Sequence, residues 1–358
     1  MTSRERMLTA MGREAPDKVP RSAPGFTPIS WETYDKNAGG VSPNVYFKSD
    51  VRGVGYAESK NPPDYRKYFE NAGIDMSRLE IDDFGVGHIK SKQTRWHYTH
   101  FTSPLNASDD LNDFIDYPLP DFNEPYRSEH FARQTAEYQA QGFAVTGHME
   151  VTLFEKAWQI RGFEKFLMDM HERPDIIDCL LDRILEFRIR GAELYAKAGV
   201  DLLSLGDDVS MQTGMIVSPE MWRRYFKGRM SRIIDAARRI KPDIHVMYHS
   251  DGNPSAIYGE LIDIGVTVLN PIQPECVDPA RVKAEYGDRA AFWGAIGIQY
   301  TLPFGSVNEV RDEVRLRMQT IGKNGGYIVA PTHVIAPEVP WENLKAMYDA
   351  IDEFGNYD

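Results

Sequence analysis

His249 and Asp251 stand on either side of Ser250, directly after the run Ile244-His245-Val246-Met247-Tyr248. In a turn, that spacing can bring both side chains to one ion or one substrate, and imidazole and carboxylate are competent zinc ligands. Cys276, following Pro274-Glu275, would add a softer thiolate donor, and His333, following Ala330-Pro331-Thr332, a second imidazole. Two readings stand side by side: a metal site of His249, Asp251, Cys276 and His333, or histidines that hydrogen-bond substrate beside a partly buried loop cysteine. Asp207 and Asp208 are adjacent carboxylates after residues 200–205. Neighbours in a turn point different ways, so one can face a pocket while the other caps the next segment. One of the pair, with Asp207 the candidate, is expected to serve as a ligand, a proton carrier or the partner of a cationic substrate group, against the alternative of two turn acids. His148 and Glu150 repeat the arrangement after Phe143-Ala144-Val145-Thr146. With Asp207 and His333 they are the candidate acid–base groups.

All these clusters end short, strand-like runs and precede amphipathic helices. Strand–helix alternation sets the ends on one face of a parallel sheet, the face where such folds do chemistry. Pro174, followed by Ile176, Ile177, Leu180, Leu181, Ile184 and Leu185, predicts a helix with one apolar face and Cys179 as a buried, inert thiol. Ser218-Pro219 and Asp278-Pro279 are helix starts, and Ser306 with Glu309 predicts a capping box for 307–321. Further helices are expected over 3–12, 127–141 and from Pro340 onward, and strands at 266–269, 291–293 and 327–330. Gly252, Gly294 and Gly297 are expected where backbone comes close or φ turns positive. Six βα units are legible from Phe143 on. With two more strands expected in the first 125 residues, one near Thr94–Thr102, the expected architecture is an α/β (β/α)8 TIM barrel with an irregular N-terminal extension. The chain then reads as one barrel domain over 1–358, with a loop-rich lead-in and wall over 1–125 and regular βα units over 126–358. The aromatics of the lead-in line a pocket or pack around the barrel bottom.

The bulk composition narrows the classes. The net charge of −12 opposes a nucleic-acid groove and gives no help at an anionic membrane. Two cysteines among 358 residues rule out disulfide stapling, and no apolar run reaches the length of a membrane span. With no apolar leader after Met1, the reducing cytoplasm is the expected compartment. No glycine-rich phosphate loop is present, so nucleotide chemistry has little support. A small-molecule substrate is the expected partner, and a homodimer is compatible with a barrel of this size.

Certain segments resemble the uroporphyrinogen decarboxylase superfamily, in particular its branch of corrinoid-dependent methyltransferases. They are Ala157-Trp158-Gln159-Ile160-Arg161-Gly162-Phe163-Glu164, Gly206-Asp207-Asp208, His249-Ser250-Asp251-Gly252 and Ala336-Pro337-Glu338-Val339-Pro340-Trp341-Glu342-Asn343, with Arg4-Glu5-Arg6 and Pro16-Asp17-Lys18-Val19-Pro20 near the start. The resemblance implies a (β/α)8 barrel with its site at the C-terminal ends of the strands. True decarboxylases carry an arginine-rich Met-Arg-Gln-Ala-Gly-Arg segment that holds substrate carboxylates. Here Val19-Pro20 is followed by Arg21-Ser22-Ala23-Pro24, with a single arginine. The methyltransferase branch binds zinc through His-x-Cys and a later Cys. This chain has His249-x-Asp251, and His333 stands where the later Cys would fall. The resemblance therefore implies zinc on harder ligands, suited to polarising an oxygen. The expected reaction is methyl transfer from a small O-methyl or N-methyl substrate, such as a methoxylated aromatic, to the cobalt of a corrinoid carried by a partner protein. The alternative is a decarboxylase, or another lyase or hydrolase, acting on a small organic acid with the same barrel.

Overall fold

A computed structural model describes residues 1–70, 73–90, 99–122 and 124–357. Its centre is a seven-stranded, all-parallel sheet whose spatial order follows the chain. The strands are β1 (Val51–Val54), β2 (Ala144–His148), β3 (Leu202–Gly206), β4 (His245–His249), β5 (Val268–Asn270), β6 (Ala291–Ile296) and β7 (Tyr327–Pro331). Six of them, β2 to β7, lie where the apolar runs predict. They are buried along most of their length, as a sheet covered on both faces requires.

The sheet curls. Val51, Ala144, Leu202, Met247, Val268, Ala291 and Ile328, one residue from each strand, join a single buried cluster with Met7, Ala10 and Met11. Those three methionine and alanine side chains come from α1 (Ser3–Met11), which opens with a Thr2–Glu5 capping box. Most of the strand residues in the cluster sit at N-terminal strand ends, so α1 plugs that end and leaves the C-terminal end open for side chains of another kind. Outside the sheet, Ile176, Ile177, Leu180, Leu181, Ile184 and Leu185 of the helix Pro174–Ala198 are all buried, as their spacing predicts. Each contributes about 2 kcal/mol of burial. Cys179 lies between the buried rows and is half-buried and free.

Among the described residues the sheet has seven strands and curls toward a barrel, where eight strands closing one were expected. Val329 N–H donates to the Pro20 carbonyl at 2.9 Å, Ser22 N–H to the Val329 carbonyl at 3.3 Å, and Asp50 N–H to the Arg21 carbonyl at 2.9 Å. The extended segment around Arg21 therefore lies between β7 and the start of β1. Only isolated bridges, at Arg21–Val329 and Phe26–Ile335, join it to β7 and to the loop beyond that strand. Pro20 and Pro24 explain this: neither has an N–H to give, so a continuous ladder cannot form. Of the two strands expected before residue 125, one, β1, joins the main sheet.

The lead-in also carries a second, smaller sheet. Leu79–Ile81, Gly87–Lys90 and Thr99–Thr102 form a separate antiparallel sheet. Of the strand expected near Thr94–Thr102, residues 94–98 lie outside the described residues and the remainder is strand. Tyr34 and Phe47 pack ring against ring with Trp341 of the closing helix Trp341–Phe354, and Phe26 and Tyr348 pack on those two in turn. The other predicted helices appear as Phe131–Ala140, Pro279–Tyr286, Val307–Gln319 with its Ser306–Glu309 capping box, and Pro219–Trp222, capped by Ser218 and running on through a π-helical turn into Gly228–Ile240. Among the described residues no helix is long and apolar enough to cross a membrane.

Candidate functional site

The C-terminal strand ends carry the polar residues. β4 ends on His249, β5 on Asn270, and Glu150, Asp208, Asp251 and His333 come just after the ends of β2, β3, β4 and β7. Gly206, the last residue of β3, makes the approach close: a Cβ there would stand 2.4 Å from the His249 carbonyl oxygen. Gly252, with φ of 83°, turns the chain back so that Asp251 faces inward, and leaves no room for a Cβ beside the Met211 carbonyl. Two β-branched residues next to the site, Val151 and Ile272, sit at φ of 57° and 50°. Such left-handed positions cost about 1–3 kcal/mol each and persist where surrounding contacts over-determine them. Buried Arg188 supplies part of that hold, donating to the carbonyls of Val151 and Thr152.

Asp208, His249 and Asp251 offer ligand atoms that all lie within 4.8 Å of one another. His249 Nε2 is 3.8 Å from a carboxylate oxygen of each. Asp208 Oδ1 also accepts the Asp251 N–H at 2.8 Å. Asp251 Oδ1 is buried and has no hydrogen-bond partner. Its other oxygen lies 3.6 Å from His333 Nε2. Burial opposes a charge on His249, but Asp251, Glu150 and Asp208 outweigh it and lift the imidazolium to about 9. Burial pushes the Asp251 carboxyl up, against the pull of His249.

The expected acids divide their work. Asp207 is buried and turns away, accepting N–H groups from Leu153 at 3.0 Å and Glu155 at 3.1 Å at the start of the helix Phe154–Arg161. Burial holds its carboxyl up to about 7 while those N–H groups pull it down. Asp208, its neighbour, is the one that joins His249. Glu150 accepts from Ser204 Oγ and is close enough to act on His249. The ring of His148 lies over Gly53, 2.7 Å from where a Cβ would be, and is exposed. Cys276 stands outside the three-residue group. Its Sγ lies 3.7 Å from Gln273 Oε1, and it lines a neighbouring cavity with Tyr258 and Arg281.

Two participants were not among the candidate residues: Glu155 carried no signal in the sequence, and Asn270 was marked only as the polar end of a strand. Glu155 accepts the Asp208 N–H at 2.9 Å and is held up to about 8 by burial and by Asp208 and Asp207. Asn270 contacts His249 at 2.6 Å. Both contacts are long-range pairings that no local spacing encodes.

Asp251 and His333 open onto a cavity of about 550 Å³. Gln212, Gln273, Ile298, Pro303, Val334 and Glu338 also line it, and Gln212 donates to Gln299 across its wall at 2.7 Å. The described lining residues include two carboxylates and no lysine or arginine. Arg21, the one arginine of the 20–26 segment, is buried and paired with Asp352 on the closing helix.

The model of the uroporphyrinogen decarboxylase (URO-D) family matches residues 142–354. The chain belongs to this family. Within it, the chain is 27% identical over 212 residues to the methylcobamide:CoM methyltransferase MtaA of Methanosarcina barkeri, covering 59% of this chain and 58% of that protein. It is 23% identical over 218 residues to the uroporphyrinogen decarboxylase of Psychromonas ingrahamii, covering the same shares. The chain thus matches a little over half the length of these relatives. A solved methyltransferase from Methanosarcina mazei shares the fold over 99% of both chains, with a TM-score of 0.69 at 20% identity. The resemblance read from the sequence holds, and it leans to the methyltransferase branch.

Proposed function

We propose that this protein moves a methyl group from a small O-methyl or N-methyl compound, a methoxylated aromatic among them, to the cobalt of a corrinoid carried by a separate protein. The observation that carries the reading is the Asp208–His249–Asp251 group, set beside a cavity whose volume suits such a compound. Similarity to MtaA of Methanosarcina barkeri supports the corrinoid partner.

The group fits a divalent ion of the zinc type. An ion about 2 Å from each ligand holds them roughly 3.3 Å apart in a tetrahedral site, and the N–O separations here are already 3.8 Å. The orphaned Asp251 Oδ1 lacks the partner such an ion would be. His249, Asp208 and Asp251 would hold it, with His333 beside them; Cys276 stands apart as a thiol on the neighbouring cavity. Bound there, the ion supplies Lewis-acid polarisation of a substrate oxygen.

The protein's own groups do the rest. When the methyl carbon passes to cobalt, the C–O electron pair stays on the substrate oxygen, which then needs a proton. His333, on the cavity wall and within reach of Asp251, is placed to give it. Glu150 and Asp208 hold charge opposite His249, and Asp207 with Glu155 fixes the loop that carries Asp208. Ile298, Pro303 and Val334 give the substrate an apolar wall that keeps water from the leaving group. The acidic lining disfavours a polycarboxylate substrate, and Arg21, bound to Asp352, is not at hand to neutralise one.

The test is methylation of cob(I)alamin, followed by its loss of absorbance, with a panel of methoxybenzenes, methanol and methylamines. The expected result is turnover with at least one donor and a loss of about 100-fold or more in His249→Ala. No methylation by any donor, together with CO2 release from a carboxylic acid, would replace this reading with the decarboxylase alternative.

A further inference from the structure

Asn270 ends β5, in register with His249 on β4. Its side chain reaches both neighbouring strands. The amide Nδ2 donates to the backbone carbonyl of Trp293 on β6 at 3.1 Å, and Oδ1 lies 2.6 Å from His249 Nδ1. A backbone carbonyl only accepts, so turning the amide over would set two oxygens against each other. Oδ1 therefore faces the ring, and the hydrogen between them belongs to His249 Nδ1.

We propose that Asn270 is a positioning residue that locks the hydrogen of His249 on Nδ1 and so leaves the Nε2 lone pair free for an ion shared with Asp208 and Asp251. This rests on the metal reading of the same site and adds to it a residue that touches neither ion nor substrate. Without the amide, the ring hydrogen moves to Nε2, where Glu150, Asp208 and Asp251 all attract it, and the lone pair turns away from the site. The partner that orients a ligand histidine is usually a carboxylate, a backbone carbonyl or water. A carboxylate here would add one more negative charge to a cluster that already holds three, and the amide orients the ring without that cost. Because Trp293 fixes the amide through the sheet itself, the ring is oriented before any ion arrives.

Selective 15N labelling of histidine reads the ring directly. In metal-free protein at alkaline pH, where the ring is neutral, His249 is expected to show a protonated Nδ1 and an unprotonated Nε2, and Zn2+ is expected to bind with that hydrogen in place. Asn270→Leu keeps the volume and removes the acceptor. It is expected to move the hydrogen to Nε2 and weaken Zn2+ binding by about 10- to 100-fold. Asn270→Asp returns an acceptor to Nδ1 but sets its second oxygen against the Trp293 carbonyl; it is expected to return the hydrogen to Nδ1, at a cost in stability, which separates orientation of the ring from a general loss of packing. A wild-type ring protonated on Nε2, or Asn270→Leu protein that binds Zn2+ as tightly as wild type, would overturn the assignment. Wild-type protein that takes up no Zn2+ would sink the metal reading instead, while the metal-free spectrum still decides the hydrogen's place.

Discussion

His249 couples the chemistry of the site to pH. Its imidazolium is held at about 9, well above the ordinary 6.5, because three carboxylates overcome the cost of burial. At neutral pH the metal-free ring is therefore a cation, and an ion must displace one proton to reach Nε2. Apparent Zn2+ affinity is expected to rise about tenfold per pH unit from neutrality up to about 9 and then level off. The stability of the metal-free protein runs the other way. A folded pKa above the unfolded value stabilises fully below 6.5, and that contribution is lost as pH rises through about 9. Calorimetric titration in buffers of different ionisation enthalpy measures both the slope and the released proton. An affinity that is flat across this range would show that His249 is not a ligand. The adjacent acids were open to reading only as a pair: two neighbours in a turn must diverge, but which one faces the pocket depends on the N–H groups of Leu153 and Glu155, about fifty residues upstream.

At the scale of elements, the strand ends do the positioning. β3 and β4 run parallel with Gly206 opposite His249, and only the missing side chain lets the backbones meet. Gly206→Ala places a Cβ against backbone atoms, which cannot rotate away, so the strands must part. The expected cost is about 2–4 kcal/mol in chemical denaturation. Metal affinity is expected to fall with it, since Asp208 rides on the displaced end. Unchanged stability in this variant would contradict the packing of these two strands. The strands themselves were legible because apolar runs bounded by polar clusters leave few alternatives, and the helix Pro174–Ala198 because its leucines and isoleucines recur every three or four residues. The segment between β7 and β1 was not. Pro20 and Pro24 hide a segment that binds its neighbours through scattered carbonyls, with no alternation to mark it.

At the scale of the molecule, the acidic surface, the open C-terminal end and the plugged N-terminal end belong to one design. α1 fills the end where strands begin, so the sheet opens at the end ringed by His249, Asp251 and His333. Sequence alone located that face and named most of its residues, because strand-end clusters are local. It could not show that Cys276 stands apart, that Asp208 stands in the group, or that Arg21 is spent on Asp352, since each depends on contacts between distant segments. The chain belongs to the URO-D family, and the methyl-transfer reading depends on the ion. Metal analysis of protein made without a chelating tag, repeated for His249→Ala, tests that most directly. A stoichiometric divalent ion in the wild-type protein that is lost in the variant is the predicted result; no metal in either protein, or the same content in both, would contradict it.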